Sequence, residues 1–187
     1  MNNKAFTLIE LLVAVLIIGI LAAIAVPQYQ KAVRKVRLNA VATTFNAITK
    51  GIDRWQLENG VPSTSVTFSG NGTRVIKLDI EQSCVKEDTY YCFTKMGSWR
   101  YSCNAEGYCW IGLNTNLNAD GSEGNNWLAG TSLSWVKIHD KPWALQLNSG
   151  HPPVSLRPEI CHWWKGLYGS GRVVDSSTRL STVCDSY

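Results

Sequence analysis

The chain has 187 residues, so beside a membrane anchor it has room for one globular domain of ordinary size and not for two. Charged residues make up 17% and aromatic residues 10%, including eight Trp, which excludes a disordered polar tail because Trp at this density has to be buried, stacked or at an interface. The net charge of +4 is modest and its basic residues are locally clustered, so it does not indicate a nucleic-acid partner.

An apolar run over residues 5–26 is long enough to cross a bilayer as one helix. Its single charge is Glu10, and a carboxylate at membrane depth costs ~2.5 to 3.5 kcal/mol, so we expect a partner for Glu10 that this segment does not supply. A secretory signal has a shorter apolar core, and its small residues follow that core, whereas here the order is reversed. The run therefore predicts a membrane anchor.

At the N-terminus the sequence Lys4-Ala5-Phe6-Thr7-Leu8-Ile9-Glu10 is followed by an apolar helix that continues to Pro27 and Tyr29. With this motif the chain resembles a type IV prepilin over about its first sixty residues. The resemblance implies a structural fibre subunit, and the chain departs from the family at Ala5, where Gly is usual.

The resemblance also implies roles for individual residues. A prepilin peptidase would cut between Ala5 and Phe6, and the new amino terminus at Phe6 would be methylated. Glu10 would pair with the amine of a neighbouring subunit during assembly. The other residues implied in assembly are Thr7, Gly19 and Pro27.

Beyond Pro27 the apolar residues still recur at steps of three and four, which predicts one helix from about residue 6 to 59. Gly60 supplies a C-terminal cap and Pro62 forbids continuation. The second half of this helix has one apolar stripe that a domain can cover, formed by Tyr29, Val33, Val36, Ala40, Val41, Phe45, Ile48, Ile52 and Trp55.

From Ser63 the apolar period changes to two, which predicts short strands joined by hairpin turns at 66–68, 75–80, 90–95, 98–103, 108–113, 133–138 and 143–147. A short helix is predicted at 157–166, with Pro158 at its start and Gly166 at its end, and the remaining residues to 187 are predicted to be irregular. The fold class is therefore α+β: a long N-terminal helix, membrane-spanning in its first half, packed on an antiparallel sheet as in a pilin.

This interpretation divides the chain into four parts. They are a leader at 1–5, a transmembrane and assembly half of the helix at 6–26, an amphipathic half at 27–59 and a disulfide-stabilised, β-rich head at 60–187.

Six cysteines follow the anchor, and their even number predicts an oxidising compartment and up to three disulfides: Cys84, Cys92, Cys103, Cys109, Cys161 and Cys184. Cys103 and Cys109 bracket a turn between two strands, and Cys84 and Cys92 bracket a short polar stretch. That leaves Cys161 with Cys184, which would close a C-terminal loop like the one found in many pilins. A bond between Cys92 and Cys103 remains an alternative.

The sequence predicts no catalytic, metal or cofactor site. The segment 116–121 resembles the opening of a calcium loop, but the twelfth position is Trp127 where a bidentate Glu is required. His139, His151 and His162 are scattered, no Cys-x-x-Cys pair occurs, and no Gly-rich phosphate loop follows a strand. We therefore do not expect an enzyme.

The resemblance implies a subunit of a type IV pilus or pilus-like filament, inserted in the inner membrane as a single-pass prepilin, cleaved, N-methylated and polymerised with copies of itself. Its implied partners are the prepilin peptidase and methylase, the pilus assembly machinery and the inner membrane, with the head in the periplasm or outside the cell. The basic cluster past the anchor would then contact lipid headgroups or a neighbouring subunit; it consists of Lys31, Arg34, Lys35 and Arg37. DNA capture by this cluster is the weaker interpretation.

Two alternatives remain. One is a pseudopilin of type II secretion, which a bound calcium ion would identify. The other is a minor pilin whose head binds a surface or DNA, which would expose a cluster among Trp99, Trp110, Trp127, Trp135, Trp163 and Trp164.

Overall fold

The computed structural model describes residues 7–68, 76, 78, 86–87, 91–94, 96–115, 128, 132–139, 141–147, 152–169, 172–175 and 184–185. It consists of two compact units, Met1–Arg37 and Leu38–Tyr187. From here on the head means this second unit, which begins within the long helix and so is larger than the predicted head at 60–187.

The long predicted helix is confirmed as α1, Leu8–Asn59, with Pro27 inside it. It ends where the sequence predicts, because Gly60 has a φ of 75°, which a residue with a side chain rarely adopts. The Gly60 N–H donates to the Gln56 carbonyl over 2.8 Å and satisfies one of the free carbonyls of the last turn.

In the first unit, every side chain of α1 from Leu8 to Gln30 is exposed. The helix contains an apolar stretch long enough to cross a membrane, and none of that stretch is buried within the chain. These properties are those of a membrane anchor or of a helix that other chains cover.

Burial of α1 begins at Leu38, later than the predicted stripe. Tyr29 is 71% exposed and Val36 is 68% exposed, so the first part of that stripe is not covered within the chain. The apolar core includes residues of α1 only from Leu38 onward. The buried residues of α1 are Leu38, Val41, Ala42, Phe45, Ile48, Thr49, Gly51 and Ile52.

In the described part of the chain, eight strands form one sheet in the order β2-β3-β4-β5-β6-β7-β8, and β1 pairs with the end of β4. All pairs are antiparallel except β7 with β8, which is parallel. The strands are β1 Val66–Thr67, β2 Lys86–Glu87, β3 Cys92–Thr94, β4 Gly97–Cys103, β5 Tyr108–Asn114, β6 Ser132–Ile138, β7 Ala144–Gln146 and β8 Val173–Val174.

The predicted α+β class is confirmed, and six of the predicted strands correspond to β1 and to β3 to β7. The prediction of an irregular C-terminal segment is wrong in one place, since Val173 and Val174 pair with Leu145 and Gln146. A two-residue strand has no measurable period, and its parallel partner lies far away in sequence. Strand β2 was also missed, and the predicted strand at 75–80 lies largely outside the described residues.

The inner face of the sheet packs on the buried stripe of α1. Phe45 is central to this contact, because its ring lies 4.8 Å from Trp135 and 5.7 Å from Trp164, centroid to centroid. Burying each such aromatic side chain contributes about 1.5 to 3 kcal/mol. Trp99 stacks on Trp135 at 5.9 Å and extends the aromatic layer across the sheet.

A second helix, α2 at Arg157–Tyr168, packs against the head part of α1 after the short turn Val154–Leu156. The Tyr168 hydroxyl donates to Asn46 Oδ1 at 2.7 Å, and burial raises the pKa of Tyr168 above its usual value. The predicted end of α2 at Gly166 is wrong, because the helix continues to Tyr168. Gly169 caps it with an N–H bond to the Lys165 carbonyl at 3.0 Å.

Two disulfides lie within the described residues, Cys103–Cys109 and Cys161–Cys184, with Cα atoms 4.0 Å and 5.4 Å apart. Both are pairings that the sequence analysis favoured, and the alternative bond between Cys92 and Cys103 is wrong. Cys92 is disulfide-bonded, but Cys84 lies outside the described residues, so its pairing with Cys92 stays a prediction.

We predict that the double substitution Cys161→Ser with Cys184→Ser lowers the free energy of unfolding by about 3 kcal/mol, because this bond closes the longer loop. The matched pair Cys103→Ser with Cys109→Ser closes only a short turn and should cost about 2 kcal/mol. Urea unfolding of the detergent-solubilised full chain, followed by Trp fluorescence, measures both. A larger loss from the short turn would contradict the assignment.

Candidate assembly site

The start of α1 is closed by reciprocal hydrogen bonds between Thr7 and Glu10. The Thr7 N–H and the Thr7 hydroxyl both donate to Glu10 Oε2, at 2.9 Å and 2.6 Å. In return, the Glu10 N–H donates to Thr7 Oγ1 at 3.3 Å. This arrangement is a capping box, and it satisfies two N–H groups that a helix start otherwise leaves free.

The expectation that the apolar segment holds no partner for Glu10 is therefore wrong. Thr7 supplies that partner, and the sequence carried the signal, since Ser or Thr followed three residues later by Glu is the pattern of a capping box. Both Thr7 bonds go to Oε2, and within the described residues the second oxygen, Oε1, accepts no hydrogen bond. Glu10 thus has an intrachain partner and one oxygen still available.

The other predicted assembly residues lie on or before the exposed part of α1. Gly19 lies in open space, where an added Cβ would meet nothing within 4 Å. Pro27 is accommodated inside the helix. Ala5 and Phe6, the predicted cleavage and methylation residues, lie outside the described residues.

Within the described residues, the tryptophans of the head form no exposed cluster of the kind that a surface-binding head would need. Trp99, Trp135 and Trp164 are fully buried. Trp110 is partly buried and lies flat on the outer face of the sheet, where a Cβ at Gly112 would be 2.2 Å from its ring. Trp163 is also partly buried, and Trp127 lies outside the described residues.

The described residues contain no group of three or more His, Cys, Asp or Glu that could hold a metal ion. The predicted calcium-like loop at 116–121 and His151 lie outside them, whereas His139 and His162 lie in separate parts of the head. Since the described cysteines are all in disulfides, none of them is available as a thiolate ligand.

Comparison with known proteins supports the assignment of the N-terminus. Residues 1–26 match the prokaryotic N-terminal methylation motif. Fimbrial protein EcpB of Eikenella corrodens is 27% identical over 171 residues, which cover 86% of this chain and 97% of that protein. The type IV major alpha-pilin of Moraxella bovis is 27% identical over 146 residues, which cover 78% of this chain and 86% of that protein. The chain is thus similar to type IV pilins and fimbrial proteins, in its N-terminal motif and along most of its length.

A further relative is prepilin peptidase-dependent protein D of Escherichia coli (strain K12). It is 37% identical over 77 residues, which cover 35% of this chain and 53% of that protein. No solved structure matches the chain. The match to the methylation motif covers the residues of the capping box.

We predict that Thr7→Val loosens the first turn of α1 in the full-length protein, because it removes a cap worth about 1 kcal/mol. Amide hydrogen exchange at residues 8–11, measured in micelles, should become about fivefold faster. Thr7→Ser keeps the hydroxyl and should exchange like the wild type. Unchanged exchange in Thr7→Val would show that Thr7 does not cap the helix.

Proposed function

We propose that this protein is a structural subunit of a type IV pilus or pilus-like filament, inserted in the inner membrane as a prepilin, cleaved between Ala5 and Phe6, methylated at Phe6 and polymerised through α1. The observation that carries this proposal is the Thr7–Glu10 capping box at the start of an uncovered apolar helix, within a segment that matches the methylation motif. The names of the relatives agree with a pilus subunit.

The uncovered helix gives the physical reason for polymerisation. Its apolar side chains from Leu8 to Val26 need a bilayer while the protein is an anchored precursor. Once the helix leaves the membrane, each exposed apolar side chain needs another cover, because returning it to water costs about 1.5 to 3 kcal/mol. The head covers α1 only from Leu38 onward, so the cover has to come from other copies.

Glu10 is suited to guide polymerisation. A carboxylate inside the apolar segment is costly unless it is partnered, and the Thr7 bonds reduce that cost before assembly. The available Oε1 can accept a hydrogen bond from the amine at Phe6 of a neighbouring subunit, which adds an ion pair in a low-dielectric setting. Cleavage before Phe6 leaves the Thr7 amide intact, so the capping box survives processing.

Processing and location follow from the same features. The name of protein D of Escherichia coli states dependence on prepilin peptidase, which supports that enzyme as a partner here. The disulfides favour a head that is periplasmic or extracellular, with the precursor anchored once in the inner membrane. The buried tryptophans argue against a surface-binding minor pilin, and nothing in the relatives' names suggests catalysis.

The experiment is an analysis of filaments sheared from cells. Mass spectrometry of the sheared subunit should give a chain that begins at a methylated Phe6. Assembled material that still begins at Met1 would contradict the proposed processing.

The same preparation tests Glu10. Glu10→Ala should be inserted and cleaved like the wild type but should give few filaments, because the intersubunit partner is gone. Gln30→Ala, an exposed polar change on the same helix, is the matched control and should assemble normally. A normal filament yield from Glu10→Ala would remove Glu10 from the mechanism.

A further inference from the structure

A cluster of basic residues lies on α1 just beyond its apolar stretch, and the proposed function leaves this cluster without a role. Between Glu10 and Asp53 the sequence contains no acidic residue, so no carboxylate on this part of the helix neutralises the cluster. Its charges therefore favour an anionic partner from outside the helix. The members of the cluster are Lys31, Arg34, Lys35 and Arg37.

Lys31 and Lys35 are the accessible members of the cluster. Both are exposed, whereas Arg34 and Arg37 are partly covered. Neither lysine takes part in an ion pair within the residues that the structure describes. The two lysines are four positions apart on a helix, so they share one face and repel each other. A bound anion would relieve that repulsion.

The two lysines lie at the level of lipid headgroups when the apolar stretch spans a bilayer. At 1.5 Å per residue, Leu8 to Val26 is about 28 Å long, which matches the hydrocarbon core of a bilayer at about 30 Å. The backbone of Lys31 then lies about 8 Å beyond that core, and the backbone of Lys35 about 14 Å beyond it. Side chains on a helix tilt toward its N-terminus, which brings both ammonium groups closer to the membrane surface.

Tyr29 lies at the same level. It is 71% exposed and lies on the side of α1 opposite to the two lysines. Lipid surrounds a single spanning helix on all sides, so both faces can meet headgroups, and Tyr is enriched at the boundary between membrane and water. Along α1 an apolar span is thus followed by an interfacial aromatic residue and then by two exposed cations, an order typical of a membrane-interface anchor.

Insertion topology does not account for the cluster. The Lys and Arg residues that orient a membrane anchor flank its cytoplasmic end. In the orientation of the proposed function the cluster emerges on the periplasmic side, so its charges oppose the usual rule. A contact on the periplasmic side gives these charges a different role.

We propose that Lys31 and Lys35 bind the phosphate groups of anionic phospholipids in the periplasmic leaflet of the inner membrane. The inference rests on the proposed function, because it takes the orientation of the anchored precursor from that function. Anionic headgroups complement the charge of the cluster, and each basic residue near an anionic membrane surface adds to the attraction. The contact fixes the depth of α1 in the bilayer until the helix is withdrawn.

The test reconstitutes the full-length protein in phosphatidylcholine vesicles that contain a trace of spin-labelled lipid. Electron spin resonance then measures how strongly spin-labelled phosphatidylglycerol and spin-labelled phosphatidylcholine associate with the protein. At low salt the wild type should prefer phosphatidylglycerol by about fivefold, because two exposed cations face the headgroups. In about 0.5 M salt the preference should fall to about twofold, because salt screens charges at a surface.

Three variants separate the effect of charge from that of position. Lys31→Gln with Lys35→Gln should lower the preference to about twofold. Lys31→Arg with Lys35→Arg keeps both charges and should behave like the wild type. Lys50→Gln is the matched control, because it removes an exposed charge about five turns further along the same helix and should leave the preference unchanged.

A wild type that associates equally with the two lipids would overturn the proposal, and so would a preference that survives the added salt or the Gln changes. If the Gln variant keeps the lipid preference but gives few filaments, the cluster contacts a neighbouring subunit and the proposal is likewise overturned. Alkaline carbonate should leave the wild type in the vesicles. A chain that carbonate removes is not anchored, and that result would contradict the proposed function itself.

Discussion

Burial of one apolar stripe of α1 against the inner face of the sheet is the interaction on which the head depends. Phe45 lies among the rings of Trp135, Trp164 and Tyr168, and the fully buried Trp99 extends this layer. Short antiparallel strands with an apolar face are marginal alone, so the sheet needs a helix to complete its core. The Cys103–Cys109 and Cys161–Cys184 bonds add covalent links inside this core, because all four cysteines are buried in it.

Before Leu38 the same helix is not part of the core. None of its side chains there is buried within the chain, and only a few near the boundary with the head are partly covered. A helix that is apolar all round is stable only in lipid or among other helices. Thr7 and Glu10 adapt its start to that setting, since the capping box satisfies polar groups that the bilayer cannot. The apolar core thus lies in the head, and under the proposed function association lies in the exposed helix.

Much of this could be predicted from sequence because the signals are local and repeated. The period of α1, the stop at Gly60 and the strands from β3 to β7 all follow from residue spacing. Two predictions failed. Strand β8 was missed because it has only two residues and a parallel partner far away in sequence, and α2 does not end at Gly166 but continues to Tyr168. The spacing of apolar residues along α1 does not show where burial begins. That point, Leu38, depends on which residues of α1 the sheet packs against. The Thr7 cap was present in the sequence and was overlooked.

The central claim is that α1 is the polymerising element and that the head remains outside the contact between helices. Helical reconstruction of filaments sheared from cells by electron cryomicroscopy tests it most directly. The account predicts that helices from neighbouring subunits, from Leu8 to Val26, pack together at the fibre axis, with the Trp-rich heads forming the outer layer. Filaments held together by head contacts alone, with these helices unpaired or absent from the fibre, would contradict the account.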